Sequence, residues 1–220
     1  MTVLNALRGR GSVYFLRHGQ ADGHAPGLMK GRGGQPLSAE GREQATAAGE
    51  WLAGRGITRI LSSPLTRARQ TADIVAARLG LKTVTDWPLL IEIDIGIFTG
   101  LTRRQAAVSH PEVLAAFEQS GWDAVPGAEK AAALHARAVA LWRELGTLTA
   151  AGASSPLCVI HKGIFQWIMR VTFGCATPLP LVEIDSCSVY RLSYDISEGR
   201  RYTAWDILNL APWRGTRPTV

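Results

Sequence analysis

The sequence predicts an α/β domain: a three-layer α/β/α sandwich with a mainly parallel central sheet and a C-terminal antiparallel hairpin. Three observations carry this expectation. Short apolar runs alternate with stretches of helical periodicity from residue 13 to about residue 173. Three of the runs, 13–16, 58–61 and 157–160, stop abruptly at polar residues, as strands of an open parallel sheet do at their ligand edge. Two strand-like runs, 188–193 and 202–208, then lie close together and are joined by Asp195-Ile196-Ser197-Glu198-Gly199.

Composition sets the outer limits. The 220 residues are 46% hydrophobic and 19% charged, enough apolar material for one sizeable core. No apolar run reaches the roughly 18 residues of a membrane span, and residues 1–11 are too polar for a secretory signal, so no membrane partner is expected. The three cysteines, Cys158, Cys175 and Cys187, are odd in number and argue for a reducing cytoplasm rather than a disulfide framework or zinc site. The net charge of +6 concentrates at the ends, on Arg8, Arg10, Arg200, Arg201, Arg214 and Arg217. A near-neutral body leaves little basis for a nucleic-acid partner. The expected organisation is a loose arm over 1–11, a single domain over 12–210 and a basic tail over 211–220. Homodimerisation is left open.

The elements follow in order. The strand at 13–16 leads into a glycine-rich loop over 19–37, whose Gly31-Arg32-Gly33-Gly34 matches neither a P-loop nor a dinucleotide fingerprint. Ser38 is a suitable N-cap for a helix over 39–52, with Ala45, Ala48, Trp51 and Leu52 on one face. After the strand at 58–61, Pro64 is placed to open a helix that runs to about Leu79 and stops at Gly80. Residues 81–85 are a third strand candidate. Residues 89–100 are apolar yet carry Glu92 and Asp94. Residues 102–122 read as helix broken at Pro111, and a long helix is expected over 128–148. The strand at 157–160 ends in His161-Lys162-Gly163 and precedes a helix over 164–173.

Parallel strands bring their C-terminal ends to one sheet edge. Arg17-His18-Gly19, Ser62-Ser63 with Arg67, and His161-Lys162-Gly163 can therefore converge. Two guanidinium forks, two imidazoles and a helix N-terminus in one crevice form an anion site, because planar guanidinium donors match phosphate oxygens.

These strings resemble the histidine phosphatase superfamily, the phosphoglycerate-mutase-like family. Leu16-Arg17-His18-Gly19 looks like its signature, and Ser62 to Ala72 is close to its Ser-Pro-Leu-x-Arg-Ala-x-Gln-Thr-Ala block. Glu92, Gly96 and Gly100 match a Leu-x-Glu…Gly…Gly pattern, and Val159-Ile160-His161 a strand leading to His-Gly. The resemblance implies a metal-independent, cofactor-free phosphatase of the histidine acid type, acting on a small phosphorylated metabolite. His18 would be the nucleophile that forms a phosphohistidine, its other nitrogen pinned by the Gly19 carbonyl. Arg17, Arg67 and His161 would bind the phosphoryl oxygens. Glu92 would be the general acid and base, held protonated by its apolar setting, with Asp94 as local competitor for the role. Arg69 reads as a surface or structural residue.

The sequence also departs from the family. His24 stands where many members have an asparagine, Gln35 where an acidic residue is usual, and Lys162 where a glycine follows the histidine. Residues 126–130, Pro-Gly-Ala-Glu-Lys, differ at two positions from a Pro-Gly-Gly-Glu-Ser segment. His24, Gln20 and Lys162 are candidate substrate contacts. A phosphoglycerate mutase is the alternative within the enzyme class, disfavoured by the short segment between Glu92 and His161. A non-catalytic phospho-ligand-binding or regulatory protein is the alternative outside it.

Overall fold

In the computed structural model, residues 3–23, 27–150, 155–175, 183–197 and 200–214 are described. Among them a six-stranded sheet has the order β3-β2-β4-β1-β5-β6. β1 (Gly9–Arg17), β2 (Ile57–Ser62), β3 (Val84–Asp86) and β4 (Ser155–Ile160) run parallel. β5 (Val189–Ser197) pairs antiparallel with β1, and β6 (Arg200–Leu210) closes the hairpin. The sandwich with its terminal hairpin is thus present, and the third strand falls at 84–86 rather than 81–85.

The strands read as continuous apolar runs because both sheet faces are covered. Val13 and Phe15 of β1 point to one core, against Leu141 and Trp142 of α5 (Ala131–Ala150) and Phe165 of α6 (Lys162–Phe173). Tyr14 and Leu16 point to the other, against Ala45 and Ala48 of α1 (Ala39–Leu52) and Ala72 and Val75 of α2 (Thr66–Leu79). The alternation follows from the period of two along a strand. Each fully buried Leu or Phe contributes about 1.5–3 kcal/mol, so the two cores fix β1 from both sides. Helix boundaries follow local chemistry. The Ser38 side chain accepts from the Gly41 N–H to start α1, and Gly80, at φ 68°, ends α2 in the left-handed conformation. Pro111 separates α3 (Arg103–Ser109) from α4 (Pro111–Ser120).

The N-terminal stretch is not a loose arm. Val3–Ala6 form a 3-10 turn, Leu7 is fully buried, and β1 begins at Gly9. The turn packs so closely on α5 that a Cβ at Gly146 would sit 2.4 Å from the Ala6 carbonyl oxygen. Burial of Val3, Leu4 and Leu7 in the first core is the physical reason. The start of the expected tail is also attached. Trp213 donates to the Ser186 carbonyl at 2.7 Å, and Arg214 bonds Asp185; residues 215–220 lie outside the described residues.

Candidate active site

The C-terminal ends of β1, β4 and β2 place His18, His161 and Ser63 side by side. His18 Nδ1 lies 2.7 Å from the Gly19 carbonyl oxygen. A carbonyl only accepts, so Nδ1 carries the proton and Nε2 keeps its lone pair. Arg67 Nε donates to that lone pair at 3.2 Å. Burial, and then the charges of Arg17 and Arg67, hold the His18 pKa well below the ordinary histidine value. The ring is therefore neutral near pH 7. Gly19 is required here, since a Cβ on it would meet the Gly41 carbonyl oxygen at 2.4 Å.

Arg67 stands in the first turn of α2 and is almost wholly buried. Its remaining nitrogens donate to the carbonyls of Gly33 at 2.5 Å and Gly31 at 2.7 Å. Thr71, one turn later, donates to the Arg67 carbonyl and accepts from the Gly19 N–H. The loop that begins at His18 and the arginine helix are thereby tied through one hydroxyl. Arg17 donates to the Ile184 carbonyl at 2.5 Å, and its Nε has no partner among the described residues. Burial lowers the Arg17 pKa and the charge of Glu92 opposes that shift.

His161 is fully buried with its ring centroid 4.9 Å from that of His18. Its Nε2 is 2.7 Å from Ser63 Oγ, while Nδ1 has no partner among the described residues. Burial, followed by the charges around His18 and Arg67, pushes its pKa well below the ordinary value.

Glu92 differs from the expectation of an apolar setting. Its Oε1 accepts from the Ile93 and Ile164 N–H groups at 2.9 and 3.0 Å, and Oε2 from the Gly163 N–H at 3.1 Å. Its carboxyl group thus sits on the first turn of α6 and takes up backbone N–H groups that the helix itself leaves without partners. Gly163 makes this possible: a Cβ there would lie 2.6 Å from Glu92 Oε1. The main chain around Glu92 is also held. Arg32 Nε donates to the Glu92 carbonyl at 3.0 Å, and Arg137 donates to the carbonyls of Leu89 and Ile91. Both arginines meet on Glu129, Arg137 through two bonds of 2.9 and 2.8 Å and Arg32 through one of 2.9 Å. Asp94 instead accepts from the Gly96 N–H and lies 3.6 Å from Arg32.

Arg17, His18, Arg67 and Glu92 line one cavity of about 320 Å³, together with Gln20, Lys30 and Lys162. The volume suits a small metabolite. Gln20 is anchored by Ser38, whose hydroxyl donates to its side-chain oxygen at 2.8 Å. Lys162 stands exposed at the start of α6. His161 is not among the residues that line the cavity, its ring lying against that of His18, and His24 lies outside the described residues. Arg69 pairs with Asp73 and Asp86.

Sequence reasoning did not pick out Lys30, Thr71, Glu129 or Arg137 as parts of the site. Lys30 Nζ donates to the Ala21 and Asp22 carbonyls at 3.1 and 2.9 Å, and burial and then Arg67 lower its pKa. Thr71 had a usable signal, its place one helical turn after Arg67.

A family model, the histidine phosphatase superfamily (branch 1), matches residues 13–207. The chain belongs to that superfamily. Among curated relatives, the probable phosphoglycerate mutase GpmB of Salmonella typhi is 30% identical over 197 residues, 84% of this chain and 86% of the relative. Among solved structures, a mycobacterial glucosyl-3-phosphoglycerate phosphatase is 28% identical, with a TM-score of 0.75 over 91% of this chain and 99% of that one. A putative alpha-ribazole-5'-P phosphatase from Escherichia coli shares the fold at TM-score 0.78, with 22% identity over 91% and 97% of the two chains. The superfamily and these neighbours are phosphatases or mutases, so the chain is grouped with enzymes. No helix among the described residues is long and apolar enough to cross a membrane.

Proposed function

We propose that this protein is a phosphomonoesterase that hydrolyses a small phosphorylated metabolite through a phosphohistidine on His18. The carrying observation is the bond from Arg67 Nε to His18 Nε2 at 3.2 Å, with the far ring nitrogen on the Gly19 carbonyl. It leaves a neutral imidazole whose lone pair faces a guanidinium, the arrangement an entering phosphoryl group needs.

In the first step Nε2 attacks phosphorus and the bond to the ester oxygen breaks. That oxygen takes the electron pair and a proton from Glu92. In the second step water attacks phosphorus, Glu92 takes its proton, and the N–P bond returns its electrons to His18. The backbone donors of Ile93, Gly163 and Ile164 hold the Glu92 carboxyl group in place for both transfers. Arg17 and Arg67 bear the charge of the equatorial oxygens, and His161, bonded to Ser63 through Nε2, packs its ring against that of His18. This chemistry asks for no metal.

The expected result is hydrolysis of p-nitrophenyl phosphate that resists EDTA, is inhibited by vanadate and disappears in His18→Ala. A structure of the mycobacterial relative with VO3, 29% identical to this chain, is consistent with an oxyanion site of this type. Full activity in His18→Ala, or loss with EDTA, would overturn the mechanism. The relative described as a probable phosphoglycerate mutase supports a second reading. Bisphosphate-primed interconversion of 3- and 2-phosphoglycerate, faster than hydrolysis, would establish it.

A further inference from the structure

We infer that Gln44 is a positioning residue for the nucleophile: its side-chain oxygen, backed by Glu40, fixes and polarises the peptide whose carbonyl holds the His18 ring. The inference rests on the phosphatase reading above and assigns part of that reaction's preorganisation to α1.

The linkage passes from Glu40 to His18 through hydrogen bonds alone. Glu40 Oε1 accepts from Gln44 Nε2 at 3.0 Å, Gln44 Oε1 accepts from the Gln20 N–H at 2.9 Å, and the Gly19 carbonyl oxygen lies 2.7 Å from His18 Nδ1. The Gln20 N–H and the Gly19 C=O belong to one peptide unit. In a trans peptide they point in opposite directions, so an acceptor on the N–H sets where the carbonyl aims. Amides joined in a chain also polarise one another, and each bond strengthens the next. A carboxylate, a side-chain amide and a backbone amide thus lead to the imidazole and pin it in the tautomer that keeps Nε2 bare.

The surroundings of Gln44 point the same way. The buried face of α1 is otherwise made of Gly41, Ala45, Ala48, Gly49 and Leu52, and Gln44 is only 3% exposed on it. A buried primary amide is unfavourable there unless its hydrogen bonds are made, and an alanine like its neighbours would carry no such penalty. The start of the helix is pressed onto the same segment. A Cβ at Gly41 would sit 2.0 Å from the Gln20 carbonyl oxygen, and the Ser38 N–H donates to that oxygen at 3.0 Å. On the other side of Gly19, its own N–H donates to Thr71. Both peptide units flanking Gly19 are therefore held by buried side chains, one from α1 and one from α2.

Gln44→Met keeps the volume and removes the acceptor. The single-turnover release of nitrophenolate from p-nitrophenyl phosphate, which reads phosphorylation of His18, is expected to slow about ten- to a hundredfold, the range for losing a partner that orients a histidine through its other nitrogen. Inhibition by inorganic phosphate, which needs the arginines and not the attack, should stay close to that of the wild type. The exchanged variant Glu40→Gln/Gln44→Glu keeps an acceptor on the Gln20 N–H and a bond between the two side chains, and should recover most of the rate. In protein carrying isotope-labelled histidine, the His18 Nδ1–H resonance, identified by its absence in His18→Ala, should move upfield in Gln44→Met and return in the exchanged variant. If Gln44→Met does not fold, Gln44→Asn replaces it, since the shorter side chain stays polar and draws its oxygen away from the Gln20 N–H. An unchanged rate, a slower rate with no shift of the His18 resonance, or no recovery in the exchanged variant overturns the inference. Failure of the underlying phosphatase reading shows separately, as absence of p-nitrophenyl phosphate hydrolysis by the wild type. The His18 resonance then decides the role of Gln44 by itself.

Discussion

Arg67 donates to His18 through Nε at 3.2 Å while its other nitrogens hold the carbonyls of Gly31 and Gly33. One guanidinium thus orients the imidazole and braces the cavity loop, and in the proposed reaction it also offers charge to a phosphoryl group. Lysine reproduces only the charge. Arg67→Lys is expected to lower kcat/KM for p-nitrophenyl phosphate about 100- to 1,000-fold, the range for losing a preorganised donor. Steady-state kinetics check this, and a loss below tenfold would show that the fork geometry is dispensable.

The buried histidines predict a pH-dependent stability. Both His18 and His161 have folded-state pKa values well below the unfolded value of about 6.5. As pH falls below that value the unfolded chain takes up protons that the folded one refuses, so stability is full above it and declines below it. Each group contributes a slope of about 1.4 kcal/mol per pH unit in that window. Urea midpoints between pH 7 and pH 5 should fall more steeply for the wild type than for His161→Gln. Parallel slopes would show that His161 is not held neutral.

Glu92 and Gly163 are expected to share one kinetic signature. Glu92→Gln should slow alkyl phosphates far more than aryl phosphates, because only poor leaving groups need the proton. Gly163→Ala drives a methyl group into Glu92 Oε1, so the same leaving-group dependence should appear in a milder form. A Brønsted series on both variants checks this; equal losses on good and poor leaving groups would argue against an acid role for Glu92.

Glu129 is expected to act at a distance. It holds Arg32 and Arg137, which in turn hold the main chain on both sides of Glu92. Glu129→Gln removes the charge both arginines share, in a largely buried pair, and should cost about 3–5 kcal/mol of stability. If Glu129 positions Glu92, kcat for alkyl phosphates should fall more than kcat for aryl phosphates in the folded variant. Loss of stability alone would confine Glu129 to folding.

Much of this fold could be read locally. Ser38, Pro111 and Gly80 act through their own backbone, so the helix limits they set were visible in the chain. The N-terminal stretch was misjudged for the opposite reason. Its glycines and arginines look like a coil, but Gly9 to Ser12 gain their strand from β5, more than 180 residues away. The surroundings of Glu92 failed in the same way. Its sequence neighbours are apolar, whereas two of its three donors come from α6, some 70 residues later. Lys30 escaped notice because its carbonyl partners come from a loop without regular pattern.

The grip of Arg67 on the cavity loop, like that of α6 on Glu92, is made with main-chain atoms. Every residue supplies a carbonyl oxygen, and nearly every residue an N–H. Apart from Gly27, Gly31 and Gly33, where backbone conformation or close contact favours glycine, the loop over 27–34 can therefore exchange side chains without loosening that grip. Such an attachment separates what shapes the cavity wall, the side chains of Leu28, Met29 and Lys30, from what holds it in place.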